Sequence, residues 1–352
     1  PATKDWQSLP SRPLPFPTSQ SPVPLTHETV VVLDFGSQTT QLIARRVREA
    51  GVYCEIRACT TPLRDIEALR PVGLILSGGP SSVYDDGAPH VDPALLELRH
   101  PETRASVPVL GICYGLQAVT HALGGSVEAS EEREFGRAEL TAHAETPLFA
   151  GVPEHATVWM SHGDRLTKLP AGFRSIAATP NAPLAAVASE DGRFVGVQFH
   201  PEVMHTAQGA LMLSNFVRGI CGCRGDWTTG SFIDDKTAEI RALVGDDHVI
   251  LGLSGGVDSS VAAALISRAI GDQLTCVFVD NGLLRQGEFE EVQRTFQDGF
   301  ELDLVASDAS DLFLSRLAGV ADPEEKRRII GRTFVEVFEQ ETEAVTARLG
   351  RK

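Results

Sequence analysis

No apolar run in this 352-residue chain approaches the roughly 20 residues that a bilayer span requires, so no membrane partner is expected. Basic side chains are also in short supply: 31 Lys and Arg stand against 47 Asp and Glu, for a formal net charge of -16. Such a surface repels phosphate backbones, which argues against a nucleic acid partner and requires any anionic substrate to be held by a local pocket. Cysteine is sparse: Cys54, Cys59, Cys113, Cys221, Cys223 and Cys276 include one close pair, spaced C-x-C, without the second half of a zinc site. This usage fits a reducing cytoplasm. What remains, 42% hydrophobic and 22% charged residues, is the composition of a globular protein, and the length favours two cores over one.

Residues 1–27 carry seven prolines (Pro1, Pro10, Pro13, Pro15, Pro17, Pro22 and Pro24) and are read as a flexible tail that cannot build a core. The tail lacks the basic start and apolar stretch of a secretory signal, and the missing initiating Met suggests processing or trimming. Order is expected to begin near Thr29. From there β-branched runs alternate with amphipathic helical patterns, the signature of an α/β fold with open, mostly parallel sheets flanked by helices. Strands are predicted at 29–33, 72–76, 108–111 and 194–199, and helices at 39–50 and 116–123. A stretch mixing Gly, Cys, Arg, Asp and Trp reads as a linker over 219–232, separating a domain at 28–218 from one at 233–352. The second begins with a β-α-β unit: strand 248–253, helix 259–270 and strand 274–280.

In Pro108-Val-Leu-Gly-Ile-Cys113-Tyr-Gly-Leu-Gln117, a cysteine stands between a buried strand and a helix, with Gly111 and Gly115 two residues to either side. G-x-C-x-G is the cysteine counterpart of the serine nucleophile elbow, and a helix N-terminus favours the thiolate. A cysteine taken at random is more often a buried structural one; the flanking glycines tilt the balance. His200 ends a predicted strand and can serve as the base, with Glu202 two residues on to hold its tautomer. A lone histidine is more often structural, but His-Pro-Glu directly after a buried strand favours catalysis. The Ser77-Gly78-Gly79-Pro80 turn can offer amides to an oxyanion, although Gly-Gly-Pro is a common turn.

Ser254-Gly-Gly-Val-Asp-Ser-Ser260 follows a strand and opens a helix, so its amides and hydroxyls can hold phosphate. No Gly-Lys-Ser/Thr is present, which excludes the Walker loop, and Asp258 offers a carboxylate for Mg²⁺. A glycine turn with a capping side chain is the plainer alternative. The charged stretch Asp322-Pro-Glu-Glu-Lys-Arg-Arg-Ile-Ile-Gly331 reads equally well as a solvated helix face with charge pairs.

Taken in order, Leu33-Asp-Phe-Gly-Ser-Gln38, Leu76-Ser-Gly-Gly-Pro80, Gly111-Ile-Cys-Tyr-Gly115, Met160-Ser-His-Gly-Asp164 and Val197-Gln-Phe-His-Pro-Glu202 resemble class I glutamine amidotransferases, specifically those of the GMP synthase family. The resemblance implies a flavodoxin-like glutaminase domain with a Cys113, His200 and Glu202 triad. It implies oxyanion amides at Gly79 and Tyr114, and glutamine held by Gln117, Ser161, Gly163 and Asp164. The 254–260 loop resembles that of ATP pyrophosphatases. By that resemblance Ser254, Gly255, Gly256, Val257, Asp258, Ser259, Ser260 and, in Val277-Phe-Val-Asp-Asn-Gly-Leu-Leu-Arg285, Val279 bind ATP on a partial Rossmann-like domain. Mg²⁺ accompanies the ATP at Asp258, no tightly bound organic cofactor is implied, and Lys326 lies on a mobile lid.

The implied enzyme is a cytoplasmic carbon–nitrogen ligase of purine biosynthesis with glutamine as amido donor. ATP adenylylates xanthosine monophosphate (XMP), the triad frees ammonia from glutamine, and ammonia displaces AMP to give GMP. Its partners would be glutamine, ATP and XMP, with a homodimer in the full-length family. Family members continue well beyond Lys352, through a dimerisation domain absent here, so the natural product is expected to be longer, or this half to need a partner. Two alternatives stand: a glutaminase subunit feeding a separate synthetase, and a non-catalytic nucleotide-binding regulator, against which the intact Cys, His and Glu set argues. A papain-type peptidase would leave the second domain unexplained.

Overall fold

A computed structural model describes residues 27–350, with the side chains of 130–133 excepted, so the proline-rich tail lies outside the described residues apart from His27. The chain divides into two compact units between Thr228 and Thr229.

The first unit runs β1 (Thr29–Asp34), α1 (Thr40–Glu49), β2 (Tyr53–Ala58), α2 (Leu63–Ala68), β3 (Gly73–Leu76), α3 (Pro93–Leu96), β4 (Val109–Ile112) and α4 (Tyr114–Ala122). It continues through β5 (Ser126–Ala142), β6 (His155–Lys168), β7 (Phe173–Ala178), β8 (Ala186–Ser189), β9 (Phe194–Val197) and α5 (Gly209–Ser214), which passes into a π-helical turn, Asn215–Ile220. β3, β4 and β9 are buried at every position and β1 at all but its last, which is why they read as unbroken apolar runs. Side chains of β1 alternate between two cores. Val30 and Val32 meet Ile43, Ala44 and Val47 of α1 and Met212 of α5; Val31 and Leu33 meet Ile66 of α2, Leu95 of α3 and Leu116 of α4.

The sheet order is β2-β1-β3-β4-β9-β8-β7-β5-β6. Its first five strands are parallel and follow the doubly wound 2-1-3-4-5 order; the remaining strands are antiparallel. The parallel core was expected, whereas the antiparallel extension was not. β6 buries alternate residues, Ala156, Val158 and Met160, between more exposed ones, a period-2 pattern that polar neighbours obscure. The predicted linker also differs. Residues 219–220 belong to the π turn, the Arg224 amide donates to Glu28 Oε2 at 2.8 Å, the Trp227 amide donates to Gly51 O at 2.9 Å, and α6 already begins at Thr229.

The second unit contains α6 (Thr229–Val244), β10 (Val249–Leu253), α7 (Val257–Ile270), β11 (Leu274–Asp280), α8 (Glu288–Gln293), β12 (Asp303–Asp308), α9 (Ser310–Leu317) and α10 (Pro323–Arg348). Its three strands are parallel in the order β10-β11-β12. Cys276 and Phe278 enter a core with Ala263 and Phe296, while Val277 and Val279 face Phe313 and Val337, so helices cover both faces. Among the described residues no helix is long and apolar enough to cross a membrane.

Candidate active site

β4 and β9 are neighbours, with Ile112 opposite Val197, so the residues that follow each strand emerge side by side at the carboxyl edge of the sheet. Cys113 comes directly after β4 and donates its amide to Val197 O at 2.8 Å. It adopts φ 50° and ψ -107°, a left-handed conformation that costs a non-glycine residue energy and that the surrounding packing must hold in place. The glycines beside it serve close packing. A Cβ on Gly115 would stand 2.4 Å from Leu76 O, and one on Gly111 would stand 2.8 Å from the backbone of Leu116.

His200 and Cys113 face one another across Gly78, whose hypothetical Cβ would lie 3.0 Å from His200 Cε1 and 3.7 Å from Cys113 Cβ. His200 Nδ1 is 2.7 Å from Glu202 Oε1. Because an ionised carboxylate only accepts, Nδ1 carries the hydrogen and Nε2 is left for the sulfur. Glu202 is 1% exposed, and its Oε2 has no partner among the described residues. Burial, the largest influence on His200, opposes its positive charge. Hydrogen bonds and charge from Cys113 and Glu202 outweigh it and raise the imidazole from 6.5 to about 10. At neutral pH His200 is therefore held as the imidazolium, placed to return a proton to a departing group beside Cys113.

Burial governs the remaining core thiols. Burial pushes Cys54 and Cys276 up to about 11, Cys223 to about 12 and Cys221 well above its ordinary value, as befits inert core residues. Around Cys113 there are polar groups instead: the Gln198 amide lies 3.7 Å from the sulfur and Ser161 O lies 3.6 Å from it.

The Gly79 and Tyr114 amides have no hydrogen-bond acceptor among the described residues, and Tyr114 is the first residue of α4, where such orphan amides are expected. The Tyr114 ring packs 3.3 Å from the place of a Gly79 Cβ. Gln117 is buried and already engaged, donating to Asp164 O at 2.8 Å, so its amide ties the 161–164 segment to α4. Ser161 thus reaches the nucleophile through its carbonyl and Asp164 reaches Gln117 through its own, while Gly163 between them faces open space.

Sequence reasoning missed two neighbours. The Thr39 hydroxyl donates to Glu202 Oε1 at 2.7 Å; its position just before a helix was the available signal. His162 is buried with Nε2 3.4 Å from Glu134 Oε2. Burial holds its pKa below the ordinary value against the upward pull of Glu134, and the charge of His200 adds to the depression. No local pattern pairs residues 134 and 162; a register shift between β5 and β6 does.

In the second unit the 254–260 loop joins β10 to α7. Gly255 takes φ +73°, Gly256 caps the helix without a side-chain bond, and residues 254–258 are exposed. The Ser259 and Ser260 hydroxyls donate back to Gly256 O at 3.0 and 2.8 Å. Asp258 sits in the first turn of α7 with no hydrogen bond or ion pair among the described residues. This suits a cation carried in by phosphates, since an exposed carboxylate and free helix amides lie side by side. A cavity of about 400 Å³ beside the loop is lined by Gly255, Ser260, Arg285, Glu288, Val292 and Phe296. Val279 is 3% exposed with its side chain in the core, so it offers only main-chain atoms. The stretch expected to form the lid begins α10. Asp322 caps α10 by accepting the Glu325 amide at 2.8 Å, Arg327 and Arg328 pair with Glu324 and Glu325, and the exposed Lys326 does not line the cavity. A capped, charge-paired helix is favourable without any ligand to close on.

Comparison with known proteins gives a family model, "Glutamine amidotransferase class-I", matching residues 31–220, and a second, "NAD synthase", matching 231–293. Three curated relatives carry the name GMP synthase [glutamine-hydrolyzing]. The chain is 54% identical to that of Paraburkholderia phytofirmans over 91% of its own length, 52% to that of Geobacillus kaustophilus over 90%, and 53% to that of Thermomicrobium roseum over 94%. In each case it spans 61% of the relative. With a family model matching more than half of its residues, the chain belongs to the class-I glutamine amidotransferases.

Proposed function

We propose that the first unit hydrolyses glutamine through Cys113, His200 and Glu202. The observation that supports this best is the 2.7 Å bond from His200 to Glu202 behind an imidazole that faces Cys113. The thiolate attacks the carboxamide carbon, and the developing oxyanion is received by the Gly79 and Tyr114 amides. As the C–N bond breaks, the imidazolium passes its Nε2 proton to the departing nitrogen, leaving a γ-glutamyl thioester and ammonia. Neutral His200 then takes a proton from water, whose oxygen displaces sulfur and restores the thiolate with release of glutamate. The carbonyls of Ser161 and Asp164 and the space at Gly163 are suited to holding the amino-acid end of the substrate. Ammonia release from glutamine tests the assignment: Cys113→Ala should abolish it, and a variant that kept the full rate would refute it.

For the second unit the reading is ATP binding. The 254–260 loop receives phosphates through its amides, and Asp258 holds the accompanying Mg²⁺, which neutralises phosphate charge when bound. Main-chain atoms of Val279 border the base. Together with the names of the relatives, this supports a coupled synthesis of GMP from XMP, ATP and glutamine, in a cytoplasmic enzyme that dimerises as its family does. Supplying XMP, ATP and Mg²⁺ with either glutamine or ammonium and following GMP is the test. Product from both sources is expected of the protein at the relatives' full length, and product from neither would overturn the coupled reading.

A further inference from the structure

We infer that Thr39 is a positioning residue of the Cys–His–Glu site, whose hydroxyl holds the Glu202 carboxylate in the orientation that meets His200. The inference deepens the glutaminase reading and rests on it. Thr39 is the N-cap of α1, where a threonine ordinarily gives its side-chain oxygen to an amide of the first turn; here it makes no such bond. Its hydroxyl instead donates to Glu202 Oε1 at 2.7 Å, the same oxygen that receives His200 Nδ1 at 2.7 Å. The only proton of Thr39 Oγ1 is thereby committed, so Ser37 Oγ, 2.8 Å away, must be the donor in that contact. The Thr39 amide donates to Ser37 Oγ at 3.1 Å, and the Ser37 amide donates to Asp34 Oδ1 at 3.2 Å, where the Thr40 hydroxyl also arrives at 2.7 Å. An ordered donor chain thus runs from Ser37 Oγ through Thr39 Oγ1 to the carboxylate, and Asp34 at the end of β1 anchors it by accepting the Ser37 amide. Further along α1, Arg46 Nε reaches Glu202 O at 3.3 Å, so one helix grips both the main chain and the side chain of Glu202.

The two oxygens of a carboxylate are chemically equivalent and exchange by rotation about one bond. Oε2 is buried with no partner among the described residues, so the Thr39 bond is what fixes the carboxylate plane besides His200 itself. Removing the hydroxyl leaves all three reacting groups in place while weakening the hold on the imidazole. The charged and titratable groups facing His200 are Cys113, Glu202 and His162, none of which such a change removes.

The test uses Thr39→Val, which keeps shape and loses the hydroxyl, and Thr39→Ser, which restores it. Glutamine turnover is measured alongside NMR titration of isotope-labelled His200 in the substrate-free chain. In Thr39→Val, kcat should fall about tenfold with KM within about twofold, and Thr39→Ser should recover both. The His200 titration should fall by about one pH unit in Thr39→Val and return in Thr39→Ser. Unchanged kcat and titration in Thr39→Val would overturn the proposal, as would a loss that Thr39→Ser does not restore. If Thr39→Val does not fold, Ser37→Ala takes its place, with a smaller fall of the titration expected and an unchanged one counting against the proposal. Should the wild-type chain release no ammonia, the glutaminase reading fails, and the titration alone decides the role of Thr39.

Discussion

The chemistry of the first unit is concentrated in one buried charged cluster, and charge sets its pH behaviour. With His200 raised from 6.5 to about 10, glutamine hydrolysis should persist well into alkaline pH and decline as the imidazolium is lost near 10. Glu202→Gln removes the carboxylate's charge, so the alkaline limb should move toward lower pH and kcat should drop by at least about tenfold in pH–rate profiles. The same shift bears on stability. A folded state that binds the proton more tightly than the unfolded chain draws its full benefit below about 6.5 and loses it as pH rises through about 10. Thermal unfolding midpoints followed from pH 7 to 10.5 should therefore fall in the wild type and fall less in Glu202→Gln. Of this cluster, Cys113, His200 and Glu202 were legible in sequence because each sits in a local pattern: glycines two residues either side of a cysteine, and His-Pro-Glu after an apolar run. Thr39 and the His162 and Glu134 pair were not, since their partners are 163 and 28 residues away and only folding brings them together.

At the scale of elements, the turn that presents Cys113 depends on contact between α4 and β3. Gly115→Ala would place a methyl 2.4 Å from Leu76 O, a clash with backbone that no rotamer relieves. A loss of about 3 kcal/mol in urea unfolding is expected, together with lost glutamine hydrolysis, because α4 also supplies the Tyr114 amide. Strands buried on both faces were recognisable from composition, as with β1 and β11, since a continuous apolar run has few other uses. The strands β5 to β7 were obscured for the opposite reason: one face meets water, so polar residues interrupt the signal, and register shifts at Ala129/Glu134 and Ser175/Ala177 break the alternation. The 322–331 stretch had two equal readings, and the Asp322 cap with its ion pairs favours the helix.

Across the whole molecule there are two compact units, and where the first one ends is a matter of packing. Residues 219–228 look like a linker in composition, yet Cys223 lies in the first unit's core and Cys221 packs against it, its sulfur 2.4 Å from where a Gly73 Cβ would be. A fragment of residues 27–228 should hydrolyse glutamine at the rate of the whole chain, while one ending at 218 should unfold at lower urea concentration and lose activity with it. Equal stability of the two fragments would contradict that boundary. The α/β class, the strand–cysteine–helix turn with the His-Pro-Glu segment, and the glycine-rich turn that opens α7 could all be read from residue order, because each is written in a few consecutive positions that local geometry constrains tightly. The protonation state of the imidazole, the second support of its carboxylate, the antiparallel half of the sheet and the true end of the first unit could not. Those depend on distances between residues remote in the chain, and such distances come into being only when the strands register and the cores close.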